Sequence, residues 1–143
     1  MKRLHISINV SNLEKSIGFY STLFASDPAV IRADYAKWML DDPRVNFVIE
    51  NSTDQPGFTH AGIQTESSHE LQDLFDRMKS AEAPYLEESD TTCCYATSEK
   101  SWTMDPDGLP WEAFYTHHQT EERSSGPSFE HIQQTATCCE TRC

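Results

Sequence analysis

The sequence predicts an α+β domain made of two βαβββ modules, on three observations. Each half opens with a strand of period-two alternation, each continues with a capped amphipathic helix, and each ends in short β segments split by turn residues. At 143 residues the chain holds one domain of ordinary size, here duplicated, and a tail.

In the first module, residues 1–54, the stretch Arg3 to Val10 alternates, with Leu4, Ile6, Ile8 and Val10 on one face and His5, Ser7 and Asn9 on the other. Ser11-Asn12-Leu13-Glu14 reads as a capping box, and Leu13, Ile17, Tyr20, Leu23 and Phe24 follow at helical spacing. Three short strands are expected near Ala29 to Arg32, Ala36 to Leu40 and Val45 to Glu50, the last two joined by the turn at Asp41-Asp42-Pro43.

The second module, residues 55–117, repeats the order. Phe58 to Thr65 alternates, Ser67-Ser68-His69-Glu70 offers a second capping box, and Leu71, Leu74, Phe75 and Met78 form the helical stripe. Strand segments are expected near Tyr85 to Glu88, Cys93 to Thr97, Ser101 to Met104 and Trp111 to Tyr115, the last after the turn Asp105-Pro106-Asp107-Gly108. From residue 118 the chain turns Gln-, Thr-, Glu- and Ser-rich and loses its periodicity, so 118–143 reads as a flexible, cysteine-containing tail.

A formal net charge of −12 argues against nucleic acid and anionic membrane surfaces as partners, since both recruit proteins largely through Lys and Arg. The basic start Met1-Lys2-Arg3 leads into the alternating strand and not into an apolar run, and no stretch has the apolar length of a membrane span. A cytoplasmic protein is expected. Five cysteines, at 93, 94, 138, 139 and 143, form two clusters of odd total, unlike a secreted disulfide framework. Adjacent Cα atoms lie about 3.8 Å apart, too close for the usual disulfide span. Both adjacent pairs are therefore expected as thiols.

Aligning the two opening strands sets His5 against His60, at the same place in each module. Glu112 lies in phase with Phe114 on an aromatic strand, where burying a carboxylate is costly unless a cation pairs it. His5, His60 and Glu112 are thus candidate metal ligands. Two imidazoles and one carboxylate with open positions suit non-haem iron(II), and a similar set serves catalytic zinc, so residue types leave the metal open. His69, in the first turn of a helix, and His117, His118 and His131, at or beyond the end of the domain, are read as surface residues.

The duplicated βαβββ order, a histidine in each opening strand and the glutamate after Asp-Pro-Asp-Gly resemble the vicinal oxygen chelate superfamily of glyoxalases, extradiol dioxygenases and antibiotic-resistance proteins, over residues 1 to about 117. Leu13-Glu14-Lys15-Ser16-Ile17-Gly18-Phe19-Tyr20, Asp34-Tyr35-Ala36-Lys37-Trp38-Met39-Leu40 and Thr91-Thr92-Cys93-Cys94-Tyr95-Ala96 resemble its arsenic- and cadmium-induced branch. That branch includes carbon-arsenic lyases dependent on iron(II) and oxygen. The resemblance implies a glyoxalase-like open barrel around a metal site, with His5, His60 and Glu112 as ligands of Fe(II), O2 as co-substrate, and a trivalent organoarsenical such as methylarsenite bound by Cys93 and Cys94. Soft thiolates select soft centres, and two on adjacent residues chelate without closing a long loop.

One departure weakens a glyoxalase reading: Val45-Asn46-Phe47-Val48-Ile49 carries no carboxylate in phase with Glu112. Two alternatives stay open, a non-catalytic cadmium- or arsenite-binding protein using Cys93, Cys94, Cys138, Cys139 and Cys143, and another enzyme of the superfamily. The parts of Tyr95, Lys100 and Trp102, the tail thiols and homodimer formation are also left open.

Overall fold

The computed structural model describes residues 1–119 apart from Thr53, Pro84, Cys94 and Tyr95, with backbone alone for 87–93, 96–97 and 118–119. The element order is β1 (Arg3–Val10), α1 (Leu13–Phe24), β2 (Val30–Arg32), β3 (Tyr35–Asp41), β4 (Arg44–Asn51), β5 (Gly57–Thr65), α2 (Ser68–Ser80), β6 (Tyr85–Cys93), β7 (Ala96–Met104) and β8 (Pro110–Gln119). This is the α+β pattern of two βαβββ modules. The described residues form two compact units, one of Arg3–Gly62 and one of the residues from Ile63 onward with Met1–Lys2, the boundary falling inside β5.

The unit Arg3–Gly62 orders its strands β2-β3-β4-β1-β5. β1 runs parallel to β4, with His5 opposite Asn46 and Ser7 opposite Val48, while β3 pairs antiparallel with both β2 and β4. A parallel pair needs a crossover, and α1 supplies it. The helix starts one residue later than the expected box: Asn12 is the N-cap, its Oδ1 accepting from the Lys15 amide at 2.9 Å. Leu13, Ile17, Tyr20 and Phe24 pack against a buried cluster of Val10, Ala36, Trp38, Leu40, Val45, Phe47 and Ile49. Apart from Val10 at the end of β1, these come from every second position of β3 and β4, so one sheet face carries the core and the other is left for His5, Ser7, Lys37 and Asn46. That polar face is not solvated, since His5 is 5% exposed and Ser7 2%.

In the second unit, β8 and β7 are neighbours, and β7 and β6, all antiparallel, with the end of β5 next to β8. Thr65 Oγ1 on β5 lies 3.1 Å from the Phe114 carbonyl, which accepts its hydrogen. Ser67 caps α2, its Oγ accepting from the Glu70 amide at 3.2 Å, while Glu70 accepts from the Glu66 amide at 3.0 Å. Three strand segments expected between Tyr85 and Met104 prove to be two. Cys93 ends β6 and pairs with Ala96 at the start of β7, so the predicted strand over Cys93 to Thr97 is divided between these two antiparallel strands, Cys94 and Tyr95 lying outside the described residues. Thr-Thr-Cys-Cys-Tyr-Ala contains no Gly or Pro, which is why the sequence pattern alone does not separate β6 from β7.

No helix among the described residues is long and apolar enough to cross a membrane.

Candidate functional site

His5 stands on β1 and His60 on β5, neighbouring strands of the same unit. Their rings meet at 5.1 Å between centroids, tilted by 49°, with the two Nε2 atoms 3.1 Å apart. The other nitrogen of each ring is already engaged. His5 Nδ1 lies 3.1 Å from the Asn46 carbonyl oxygen, which can only accept, so that nitrogen carries the proton. His60 Nδ1 lies 3.1 Å from Thr59 Oγ1, whose own hydrogen goes to the Ser7 carbonyl at 3.0 Å. The Thr59 hydroxyl therefore accepts from His60, and His60 Nδ1 is protonated too. The two Nε2 atoms are thereby turned toward one another, 3.1 Å apart. Fixing the second nitrogen to a carbonyl or hydroxyl is how proteins orient metal-binding imidazoles.

Glu112 belongs to the second unit. It is 5% exposed and Phe114 7%, alternating with the half-buried Trp111, Ala113 and Tyr115, as the strand phase predicts. Its Oε1 accepts from Lys100 Nζ at 2.6 Å, and both side chains are almost wholly buried. Lys100 also lies 5.8 Å from the centre of the Phe114 ring, within cation-π range. Trp102, opposite Glu112 in the β7–β8 register, is 3% exposed. An anionic Glu112 is thus held in a dry setting with one oxygen bonded to an ammonium.

Of the thiols, Cys93 is the last residue of β6, while its side chain, all of Cys94, Tyr95, and the tail residues Cys138, Cys139, Cys143 and His131 lie outside the described residues. His69 is a surface residue 3.5 Å from Asp73, and His117, at the rim of β8, pairs with Glu99 at 3.2 Å. Thr59, Asn46 and Ser7 carry no motif and stand out only through these hydrogen bonds. A hydroxyl residue directly before a candidate ligand was the one available signal for Thr59.

Residues 2–113 match the model of the Glyoxalase/Bleomycin resistance protein/Dioxygenase superfamily. The chain belongs to that superfamily. A protein of Bacillus sp. (strain MD1) named trivalent organoarsenical cleaving enzyme is 43% identical over 97% of this chain and 83% of its own length. A Mycobacterium bovis protein named cadmium-induced protein CadI is 32% identical over 98% of this chain and 94% of its own. Among solved structures, an extradiol ring-cleaving dioxygenase from B. fuscum superposes with a TM-score of 0.62 at 14% identity, over 83% of this chain and 34% of that one. At that identity the likeness is one of fold, and it agrees with superfamily membership.

Proposed function

We propose that the chain is an arsenic-detoxifying enzyme, an iron(II)- and oxygen-dependent carbon-arsenic lyase, with His5, His60 and Glu112 as metal ligands and Cys93 and Cys94 as the arsenical anchor. The observation that carries the metal reading is the convergence of His5 and His60, their Nε2 atoms 3.1 Å apart and each ring fixed by a hydrogen bond on its far side. Two neutral imidazoles and a buried carboxylate fit a divalent metal with open positions. The choice of iron over zinc and the arsenical substrate rest on the similarity to proteins named organoarsenical cleaving enzymes and on Thr-Thr-Cys-Cys-Tyr-Ala.

Bound iron(II) would supply the one-electron chemistry that lets oxygen react with an organic substrate. The chain's own residues do the rest. Asn46 and Thr59 hold the imidazoles in their metal-binding tautomer. Cys93 and Cys94 displace hydroxyls from trivalent arsenic and fix the substrate, replacing a bimolecular encounter by a positioned one. For a methyl substituent, methylarsenite and one O2 give formaldehyde and arsenite with every atom accounted for. The four electrons lost by carbon are those gained by oxygen, so arsenic stays trivalent and no external reductant is consumed.

Anaerobic loading with iron(II), then methylarsenite and oxygen, is expected to release arsenite and formaldehyde in equal amounts. Cys93→Ser, Cys94→Ser and His60→Ala should each lose at least about tenfold in kcat/KM. No arsenite from the wild type would sink the lyase reading, and full activity in both serine variants would sink the anchor alone. The relative named as cadmium-induced favours a second reading, metal sequestration without turnover. It requires stoichiometric cadmium binding that deletion of residues 118–143 weakens and His60→Ala leaves intact.

A further inference from the structure

We propose that Lys100 is a positioning residue for Glu112: its ammonium holds one carboxylate oxygen so that only the other is presented to the metal. This rests on the metal reading above and concerns how many coordination positions that metal keeps open.

Register puts Lys100 opposite Phe114 and Trp102 opposite Glu112 on adjacent strands, so Lys100 and Glu112 are diagonal neighbours on one sheet face, within reach of a long side chain. The Nζ to Oε1 distance is 2.6 Å, short even for a charge-assisted bond, and the two side chains are 8% and 4% exposed. Burying an ion pair is an expensive way to hold two strands together, because apolar side chains of similar volume commonly do as well or better. This stretch already has apolar residues that could do so, Trp102 and Phe114. What the pair provides, and a Met–Leu contact would not, is a fixed orientation of the carboxylate.

An ammonium has no lone pair, so Lys100 cannot itself enter the coordination sphere; it can only act on a ligand. With Oε1 engaged, Glu112 offers a single oxygen. A six-coordinate metal with two imidazoles and a one-oxygen carboxylate keeps three positions open, against two if the carboxylate binds through both oxygens. Substrate and oxygen must share those positions, so the difference bears directly on oxygenase chemistry. Phe114 beneath the ammonium and buried Trp102 beside it keep water from replacing either partner.

The test is a cobalt(II) titration of the full-length apo-protein, read by affinity and by the intensity of the visible bands, which fall as coordination number rises. Lys100→Met is expected to bind cobalt about 10- to 100-fold more weakly, as loss of a hydrogen-bonded support for a ligand does elsewhere, and with weaker bands per cobalt. Lys100→Gln, neutral and too short to keep the bond, should shift in the same direction and decides the matter if Lys100→Met does not fold. Lys100→Arg should restore most of the affinity. Binding within twofold of wild type and an unchanged spectrum in both neutral variants, while His60→Ala and Glu112→Ala lose cobalt, would overturn the role of Lys100 and leave the metal site standing. Wild-type binding by His60→Ala and Glu112→Ala would overturn the metal reading and this inference with it.

Discussion

The two modules share an order of elements and differ in how they are filled. Beneath α1 four rings interlock: Tyr20 and Phe47 at 4.6 Å between centroids, Phe24 and Phe47 at 5.1 Å, Trp38 and Phe47 at 6.0 Å. Trp38, Ala36 and Ile49 are wholly buried there. Beneath α2, Leu71 and Phe75 are buried and Phe75 meets Tyr85 at 4.9 Å, but Leu74, Met78, Trp111 and Met104 line a cavity of about 750 Å³. Binary pattern sets the module, and side-chain volume sets whether it is solid. The filled unit carries both candidate imidazoles. The looser one carries Glu112 and the strand ending in Cys93, so the demand for exact placement and the demand for give fall on different halves.

The largest effect should come from cutting the filled core. Trp38→Ala removes a wholly buried indole and its Nε1 donation to the Ser26 carbonyl at 3.0 Å, and should cost about 3–5 kcal/mol in urea unfolding. A loss below about 1 kcal/mol would mean that the first unit is no more tightly packed than the second. Imidazole chemical shifts of His5 and His60 should move in this variant, because Trp38 on β3 lies opposite Phe47 on β4, next to Asn46, whose carbonyl orients His5.

A matched pair of enlargements probes the same contrast from the other side. Ala36, fully buried, has no room for extra atoms, and Ala36→Leu should cost about 1–3 kcal/mol. Ala113 lines the cavity, and Ala113→Leu should change stability by less than about 1 kcal/mol in either direction, since added methylenes enter space already present. Equal losses at the two positions would show that the cavity is not available to a side chain. If Ala113→Leu is neutral and yet changes cobalt affinity, the space beneath α2 is coupled to Glu112, its neighbour on β8.

The same contrast decides what the sequence could reveal. Alternation in Arg3–Val10 and Gly57–Thr65 and the stripe in α1 are local signals, and they located β1, β5 and α1 nearly to the residue. The phase of Glu112 with Phe114 is a period-two property of one strand and was equally legible. The division between β6 and β7 was not, because no Gly or Pro marks it and the antiparallel pairing of Cys93 with Ala96 is not a property of local pattern. Lys100 was visible as a residue but not as a partner: its bond to Glu112 depends on the β7–β8 register, a non-local quantity. Thr59 had only its place before His60 to mark it, since its value lies in a carbonyl 52 residues away. Composition likewise gives no measure of the cavity under α2, which is a deficit of volume and not of hydrophobicity.

The smallest effect compares one surface carboxylate from each unit. Asp41 is held below its ordinary value by a hydrogen bond and then the charge of Arg3, with Arg44 adding a little; Glu70 is lowered first by the Glu66 amide and more weakly by Lys2. In both the folded pKa is depressed, so each contribution is fully present above the unfolded carboxylate range, about pH 4, and is lost as pH falls through the lower folded value. Asp41→Asn and Glu70→Gln should therefore each lower Tm at pH 7 by a small amount that fades as pH falls through the lowered folded value. Salt separates the two causes. At 1 M the screening length is about 3 Å, so the Arg3 charge acting on exposed Asp41 is damped while the amide bond to Glu70 persists. The Asp41→Asn difference should shrink on adding salt and the Glu70→Gln difference should hold. If both shrank together, Glu70 would owe its low pKa to Lys2 and not to the Glu66 amide, and the cap of α2 would rest on charge.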